Sequence, residues 1–588
     1  MESEENEKFT NKNLNLLKQI EEEDNLNTSL PSLALSEVPS DLIIQTNLIY
    51  GKKSSAYKAV LREYSKKTSV HGLTYIFAIH RPFYEKLYWI IFTVISLYLA
   101  ISYMWETYIK WLDTPTILGF DETLVKIHKI PFPTVTICPE NKRDVTKFDF
   151  SDVSEFIWSE IKQYNKFPDK EVLTEEYVQQ FLATLQTCDQ EVIKKFSPFL
   201  PTNTKVDVAE NLLNMVSDIN ITMQICKWNG RFDEGCNIIR KVLTNEGVCY
   251  QFNGLRPQDI YRHTDFLSYK DKEFDKFNTM LNWSLDYGYR DQGFNAYPKR
   301  SIMSSARNGF YALLGSYEDD NDYVCNRFKQ GFKVFLNSPD SVPVTTGNYI
   351  LVPNSHEVMV TVLPQYITSL ENLLQFGPEK RQCYFNSERN LHFFKFYTQN
   401  NCQTECLTNY TIAKCGCAKF WMPKPFDIPV CDLSKVNCYN NAANELDVII
   451  ANQTAQKLKD SNVKIMCDCM PACNSLEYNF EITRAYLDAE ATTRAHRENY
   501  EEGGSITSRL TVYYRESQFT AIKRTVLYDL TQLIANCGGI FGLFMGISML
   551  SVIEFIYFFS LRLLNNFHKR KLIQKKLGEL EMEIPNCS

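Results

Sequence analysis

The sequence lacks the features that mark several common classes of protein. Its 588 residues carry 63 lysines and arginines against 70 acidic residues, a formal charge of −7, which does not favour a nucleic-acid partner because such proteins present a clustered basic surface. The eight histidines are scattered, and no nucleophile motif or metal-ligand spacing is present, so neither an enzyme nor a metal site is predicted. The start, MESEENEKFTNKNLNLLKQIEEEDN, lacks the basic residues and short apolar segment of a signal peptide.

Cysteine is absent before Cys138 and then becomes abundant. Sixteen of the 18 cysteines lie between Cys138 and Cys473, and ten of these crowd into residues 383–473. An even number in one block is typical of a disulfide framework that forms in an oxidising compartment. Zinc is the alternative ligand for such a cluster, but the C-x-x-C knuckle spacing is missing. We therefore expect disulfides, although spacing alone does not give their connectivity.

Two stretches are long and apolar enough to cross a bilayer, which takes about 20 residues. They are Leu87–Trp105 and Leu530–Ile553, and basic residues precede the first and follow the second. The positive-inside rule then predicts that both termini are cytoplasmic and that the cysteine-rich loop is outside. In the absence of a signal peptide, the first span is expected to act as the signal anchor.

The loop between the spans mixes helical and extended patterns, so we expect an α+β domain. Residues 357–368 and 509–517 predict strands, and residues 207–219 and 444–460 predict amphipathic helices. The acidic run EDDND, residues 318–322, is expected to form a solvated loop. Four glycosylation sequons fall in this loop, at Asn220, Asn282, Asn409 and Asn452.

The second span contains residues that a lipid-facing helix does not favour. Gly538, Gly542 and Gly546 recur every four residues, a spacing that would let helices pack closely in a membrane. Close packing does not explain the polar residues Asn536, Ser548, Ser551 and Glu554, since polar groups in a span normally face a bundle interior or water. The run Gly546-Ile547-Ser548 is expected to break the helix and to line a cation pore, with a ring of Glu554 carboxylates favouring cations.

Several motifs together resemble one family. They are HGLTYIF (71–77), FPTVTICPE (132–140), the ten-cysteine block and GGIFGLFMGISMLSVIEF (538–555). On these motifs the chain resembles the degenerin/epithelial sodium channel superfamily, and GFKVFLNSPDSVP (331–343) and CDCMPACNSLEYNFEITRA (467–485) resemble its insect pickpocket branch. The resemblance implies an acid-sensing-channel-like fold with two transmembrane helices and a large disulfide-rich α+β extracellular domain. It also implies a trimeric, voltage-independent sodium channel that amiloride blocks.

The resemblance further assigns roles to individual residues. Gly546, Ile547 and Ser548 match the family's selectivity filter, and His71 and Gly72 match its cytoplasmic gating motif. Residues matching the gate and pore are Ala535, Asn536, Gly539, Gly542 and Glu554. The implied disulfides are Cys138–Cys249, Cys226–Cys236, Cys383–Cys473, Cys402–Cys469, Cys406–Cys467, Cys415–Cys438 and Cys417–Cys431, which leaves Cys188 and Cys325 as a pair by elimination.

These expectations divide the chain into five segments. They are a cytoplasmic N-terminus (1–82), a first transmembrane helix (83–107), an extracellular cysteine-rich domain (108–521), a second transmembrane helix with the pore (522–561) and a cytoplasmic tail (562–588). The predicted setting is the plasma membrane, in a homo- or heterotrimer with related subunits, with Na⁺ as the permeant ion and no cofactor. A non-conducting accessory subunit or cell-surface receptor is the alternative. The sequence does not identify the stimulus that opens the channel.

Overall fold

The computed structural model of the chain describes most of it between residues 54 and 572. The described residues are 54–78, 81–113, 116–168, 172–201, 206–268, 280–290, 293, 296–326, 330–343, 347–457, 466–488, 491, 494–495, 505–527, 529–568 and 571–572. Most of the predicted cytoplasmic N-terminus, the end of the predicted tail and residues 458–460 of the predicted helix 444–460 lie outside them. The chain divides into two compact units, residues 1–109 with 530–588, and residues 110–529.

The first unit is helical. Its described helices are α1 (Ser54–Lys67), α2 (Leu73–Ile76), α3 (Phe83–Asp113, which continues into the second unit), α13 (Leu530–Met545) and α14 (Met549–Tyr557), the last extended by a π-helical turn over Phe558–Arg562. Two helical stretches are long and apolar enough to cross a membrane, Phe83–Leu112 and Met549–His568, and Leu530–Met545 is a shorter apolar helix. The second predicted span therefore consists of two helices in sequence, with the expected break between Met545 and Met549.

The second unit begins and ends with paired strands. Its strands are β1 (Thr116–Lys126), β2 (Thr134–Pro139), β3 (Met223–Trp228), β4 (Arg231–Asp233), β5 (Ile239–Thr244), β6 (Gly247–Phe252), β7 (Trp283–Ser284), β8 (Gly288–Tyr289), β9 (Phe310–Tyr317), β10 (Phe332–Asn337), β11 (Ile350–Val352), β12 (His356–Ser369), β13 (Ser475–Tyr486), β14 (Ser505–Tyr514) and β15 (Gln518–Val526). An eight-stranded sheet has the order β1-β15-β12-β14-β9-β3-β4, and its eighth strand, β13, pairs with β12. A five-stranded sheet has the order β11-β10-β2-β6-β5.

Helices complete this unit. They are α4 (Phe150–Tyr164), α5 (Glu175–Leu185), α6 (Gln190–Phe196), α7 (Val208–Met215), α8 (Ile219–Thr222), α9 (Pro257–Ile260), α10 (Pro378–Arg381), α11 (Gln399–Cys415) and α12 (Val436–Lys457). Asp149, Thr174, Asp207 and Thr398 cap four of these helices by accepting a hydrogen bond from a backbone N–H of the first turn. Such side-chain caps stabilise a helix start by about 1 kcal/mol each.

A single large core joins both sheets to the helices α4 to α7. Phe132 is fully buried at its centre, with its ring against those of Trp228, Phe252 and Tyr514. Two tyrosine hydroxyls, of Tyr478 and Tyr514, both donate to the carbonyl oxygen of Pro131, so the polar ends of these buried rings are satisfied. The predicted α+β architecture of this domain is confirmed.

The elements of the second unit agree with the sequence expectations only in part. The strand predicted at 357–368 lies within β12, and the helix predicted at 207–219 is the shorter α7. The strands next to the membrane helices in the chain are β1 and β15, which pair antiparallel and which the sequence did not indicate. The predicted second transmembrane segment, 522–561, starts too early, because β15 continues to Val526 and the helix begins at Leu530.

The acidic run at 318–322 is not a solvated loop, contrary to expectation. Asp320 and Asp322 are buried, whereas Glu318 and Asp319 are exposed. Asp322 forms a buried ion pair with Arg143, and Asp320 accepts a hydrogen bond of 3.0 Å from the backbone N–H of Val145. Burial raises the pKa of the Asp320 carboxyl above its ordinary value. The run therefore anchors the segment after β2 to the core.

Candidate ion pathway and the loop beside it

The second span is interrupted at the three residues that the sequence singled out. Helix α13 ends at Met545, and Gly546 has φ of 67°, in the left-handed region where a Cβ is strained. The Gly546 N–H donates to the Gly542 carbonyl at 3.0 Å, the bond of a glycine-terminated helix. Ser548 is extended, with φ of −105° and ψ of 170°, and begins α14. Gly546 thus leaves the helix, and the predicted glycine stripe ends at Gly542.

Ser548 and Ser551 start the second half of the span as a capping box. The Ser548 hydroxyl accepts from the Ser551 N–H at 3.2 Å, and the Ser551 hydroxyl accepts from the Ser548 N–H at 3.0 Å. The sequence did not indicate this arrangement, because the usual third-position partner is Glu or Gln. The reciprocal bonds satisfy two of the N–H groups that a helix start leaves without partners.

The segment before α2 lies directly against the break. The His71 N–H donates to the Met545 carbonyl at 2.9 Å, and the Ser96 hydroxyl of α3 donates to the Phe544 carbonyl at 2.8 Å. A Cβ on Gly546 would lie 2.6 Å from atoms of the His71 ring, so the ring covers the glycine backbone. The last carbonyls of α13 therefore bond to groups outside the helix, as a break inside a membrane requires.

Gly72, like Gly546, has a left-handed backbone and lies close to another element. Its φ is 87°, and a Cβ there would lie 2.4 Å from the hydroxyl oxygen of Thr93 on α3. Any other residue would be strained and would collide with α3. The His71-Gly72 pair is thus held between α3 and the interrupted span, a contact between distant parts of the chain that no local sequence signal could have revealed.

Two further contacts attach the N-terminal segment to α14. The hydroxyls of Ser69 and Ser551 lie 2.6 Å apart, and Ser551 is only 3% exposed. Tyr64 packs edge-on against Phe555, Phe558 and Phe559, with ring centroids 5.6 to 5.9 Å away. Ser551 was predicted to belong to the polar surface of a pore, but its hydroxyl forms hydrogen bonds with Ser69 and Ser548 instead.

An ion pair also joins α1 to the π-helical turn that follows α14. Glu63 on α1 and Arg562 in the π-helical turn approach to 3.0 Å, and both side chains are partly exposed. A pair in this setting contributes about 0–1 kcal/mol, so it orients α1 more than it stabilises the unit.

The remaining predicted pore residues are open to the surroundings in the single chain. Ala535, Asn536, Gly539 and Gly542 are all exposed, and helical spacing puts them on one face of α13. Glu554 is half-buried, and its Oε2 has no hydrogen-bond partner among the described residues. A carboxylate oxygen without a donor is costly, so this group suits a neighbouring cation or water.

The cystine framework connects the same partners as the family resemblance implies. The structure joins Cys138–Cys249, Cys188–Cys325, Cys226–Cys236, Cys383–Cys473, Cys402–Cys469, Cys406–Cys467, Cys415–Cys438 and Cys417–Cys431. Three of these bridges have a cysteine in α11, and one of the three, Cys415–Cys438, joins α11 to α12. Cys537 in α13 is a free cysteine within the described part of the chain.

Three of the four predicted glycosylation residues are accessible. Asn220, Asn409 and Asn452 are exposed, on α8, α11 and α12 respectively. Asn282 is half-buried, and its backbone N–H donates to the Tyr297 carbonyl at 3.1 Å. No group of three or more His, Cys, Asp or Glu side chains suited to a metal ion occurs among the described residues.

The fold and this site define a class of membrane protein: two spanning segments, the second interrupted by Gly-x-Ser, and a large cystine-rich domain between them. Residues 64–558 match the model of the amiloride-sensitive sodium channel family. The chain therefore belongs to the amiloride-sensitive sodium channel family, and its cystine-rich domain is extracellular.

Individual relatives agree with this assignment. The chain is 23% identical to pickpocket protein 28 of Drosophila melanogaster over 88% of its own length and 82% of that protein. It is 22% identical to the sodium channel protein Nach of the same species, over 86% and 88% of the two chains. It is 21% identical to human acid-sensing ion channel 2, over 87% and 88%. The resemblance to sodium channels of the pickpocket branch is confirmed.

Proposed function

We propose that the chain is a subunit of a trimeric, voltage-independent, amiloride-sensitive sodium channel of the plasma membrane. Both termini lie in the cytoplasm, and an extracellular chemical or mechanical stimulus opens the channel. Na⁺ is the permeant ion, and related subunits or further copies of this chain complete the trimer.

The observation that carries the proposal is the interruption of the second span at Gly546–Ser548. Three residues outside helical geometry would be costly in lipid, since each unsatisfied backbone group there costs several kcal/mol. In a trimer, three such breaks would surround one axis and present carbonyl and hydroxyl oxygens to a partly dehydrated cation. Gly546, Ile547 and Ser548 then form the selectivity filter.

The exposed face of α13 supplies the gate in this proposal. Ala535, Asn536, Gly539 and Gly542 are exposed in the described part of the chain, and the three small residues among them let three helices approach closely. Glu554 follows the filter in the sequence, and its unpaired carboxylate oxygen attracts cations. His71 acts on the filter from the cytoplasmic segment through its contacts with Met545 and Gly546, and Gly72 holds that segment against Thr93 of α3.

Recording from cells that express the chain alone tests this function. A bulky residue at Ala535, as in Ala535→Phe, is expected to hold the gate open and to give a sodium current that amiloride blocks. Ile534→Phe is the matched control, because Ile534 is apolar and exposed but lies on a neighbouring helix position. Current in Ala535→Phe that disappears with Gly546→Ala or Ser548→Ala supports the channel. A silent Ala535→Phe that reaches the cell surface would favour an accessory subunit.

A further inference from the structure

A cavity of about 820 Å³ lies in the extracellular domain between the α11–α12 pair and strand β5. Its size falls within the range of about 300–1,000 Å³ that small-molecule sites occupy. One wall is apolar, and its residues are Leu255, Ile260, Val342, Phe420, Leu446 and Ile450. Gln403 and Asp447 also border the cavity and are exposed, so the cavity opens to solvent.

Lys419 brings a positive charge to this cavity. Its ammonium nitrogen lies 4.6 Å from the centre of the Tyr439 ring, and no carboxylate among the described residues is within ion-pair distance. Burial lowers the pKa of Lys419 to about 8, and no neighbouring charge offsets the cost. A largely buried cation without a counter-ion is unfavourable, and an anion that reached it would remove that cost.

Several other charged groups nearby have partners of their own, and Asp189, a partly exposed carboxylate, borders the smaller cavity that also touches Lys419. Arg240 donates to the Gln251 side-chain oxygen at 2.9 Å, and Asp468 accepts from the Tyr384 hydroxyl at 2.6 Å. Glu140 and Glu246 border a smaller cavity of about 210 Å³ that also touches Lys419, but both pair with Lys333, at 3.5 and 2.7 Å. Lys419 is thus the cation that these carboxylates leave without a partner.

A second donor in the same segment lacks an acceptor. The indole N–H of Trp421 is buried and has no hydrogen-bond partner within the described part of the chain, and Trp421 borders both cavities. Buried donors of this kind normally bond to something, so the segment from Lys419 to Trp421 provides two donors for an incoming acceptor.

We propose that this cavity binds a small organic carboxylate with an apolar body, whose carboxylate lies against the Lys419 ammonium. The apolar body packs on the wall that Leu446 and Ile450 of α12 contribute. The chemistry selects an acid over its neutral amide, because only the acid supplies the missing negative charge. The proposal concerns binding to the extracellular domain and does not depend on ion conduction.

Isothermal titration of the purified full-length protein with 3-phenylpropionate tests the proposal. The neutral 3-phenylpropionamide is the matched ligand control, and Lys414→Met is the matched protein control, since Lys414 is a more exposed lysine on α11 that pairs with Glu445. Wild type and Lys414→Met should bind the acid alike. Lys419→Met should bind it at least about tenfold more weakly, as the loss of a charge-assisted hydrogen bond of about 1.5–3 kcal/mol requires.

Ile450→Trp provides a second, independent variant, because it keeps Lys419 but fills the cavity. It should abolish binding of the acid, and thermal unfolding of each variant reports whether the fold is retained. Equal binding of acid and amide, unchanged binding in Lys419→Met, or absence of binding to wild type would each overturn the proposal.

Discussion

The backbone N–H of His71 donates to the carbonyl oxygen of Met545 at 2.9 Å, and the His71 ring lies over Gly546. One residue from the segment before the first span therefore satisfies the last carbonyl of α13 and covers the glycine that ends it. A displacement of the His71 segment would remove a donor from the break and change its backbone. This contact gives the segment before the first span a direct physical route to the break at Gly546–Ser548.

Substitution of Gly546 tests that contact. In Gly546→Ala the new Cβ would be strained at φ of 67° and would lie 2.6 Å from the His71 ring. A strain of about 1–2 kcal/mol predicts that the sodium current falls by about tenfold or more. The measurement is whole-cell current normalised to surface protein. Gly538→Ala is the control, because no described residue lies within 4 Å of a Cβ there and alanine favours a helix. Equal loss in both variants would contradict the account.

The Ser551 hydroxyl is predicted to control gating without touching ions. Ser551→Ala removes the bond to Ser69 and half of the capping box with Ser548. Losing a cap costs about 1 kcal/mol, so the open probability should change by about fivefold. Single-channel recording measures it. Ser560→Ala is the comparison, since that hydroxyl donates only to the Ile556 carbonyl in its own helix. If Ser551→Ala changes the unitary conductance but not the open probability, the hydroxyl faces the ion path after all.

The buried pair Arg143–Asp322 predicts a stability difference within one acidic run. Asp322→Asn leaves the Arg143 guanidinium without its counter-ion in a site where both side chains are at most 2% exposed. Breaking such a pair costs about 3–5 kcal/mol. The thermal unfolding midpoint of the solubilised full chain should fall by several degrees. Asp319→Asn should leave it unchanged, because Asp319 is exposed. Equal midpoints for the two variants would contradict the buried pair.

Asp340 predicts a pH dependence of stability. It is 3% exposed, and burial raises the pKa of its carboxyl from 3.8 to about 6. The folded state therefore holds the proton more tightly than the unfolded state. This stabilisation of about 3 kcal/mol is fully present below about pH 4 and is lost as the pH rises through 6.

The unfolding free energy of wild type should thus decline between pH 4 and 6.5 by more than that of Asp340→Asn, in which the group does not titrate. Denaturant titrations of the solubilised full chain at several pH values measure this slope. Glu371→Gln, at an exposed carboxylate, should keep the wild-type slope. A parallel pH dependence in wild type and Asp340→Asn would show that Asp340 does not carry the effect.

The sequence predicted the parts of this structure that local chemistry determines. The run Gly546-Ile547-Ser548 predicted a helix break because glycine tolerates unusual backbone angles. The long strand β12 was predicted from its apolar alternation. The disulfide partners came from the family resemblance, since spacing alone allows many pairings.

The rest depended on contacts between distant residues. Strand β1 is mostly exposed on both faces, so it carries no alternating pattern, and its pairing with β15 was not predicted. The acidic run was misjudged because the partner of Asp322 is Arg143, 179 residues away. His71 and Ser69 also contact residues of the second span that are far from them in sequence. The cavity beside Lys419 forms only when α11, α12 and β5 come together in the fold.

The most direct test of the central claim is an experimental map of the assembled protein in a lipid nanodisc. The account predicts that copies of residues 546–548 surround a water-filled axis, with their carbonyl and hydroxyl oxygens facing it and with His71 against Gly546 in each subunit. A map in which this segment borders only lipid or dry protein, away from any symmetry axis, would contradict it.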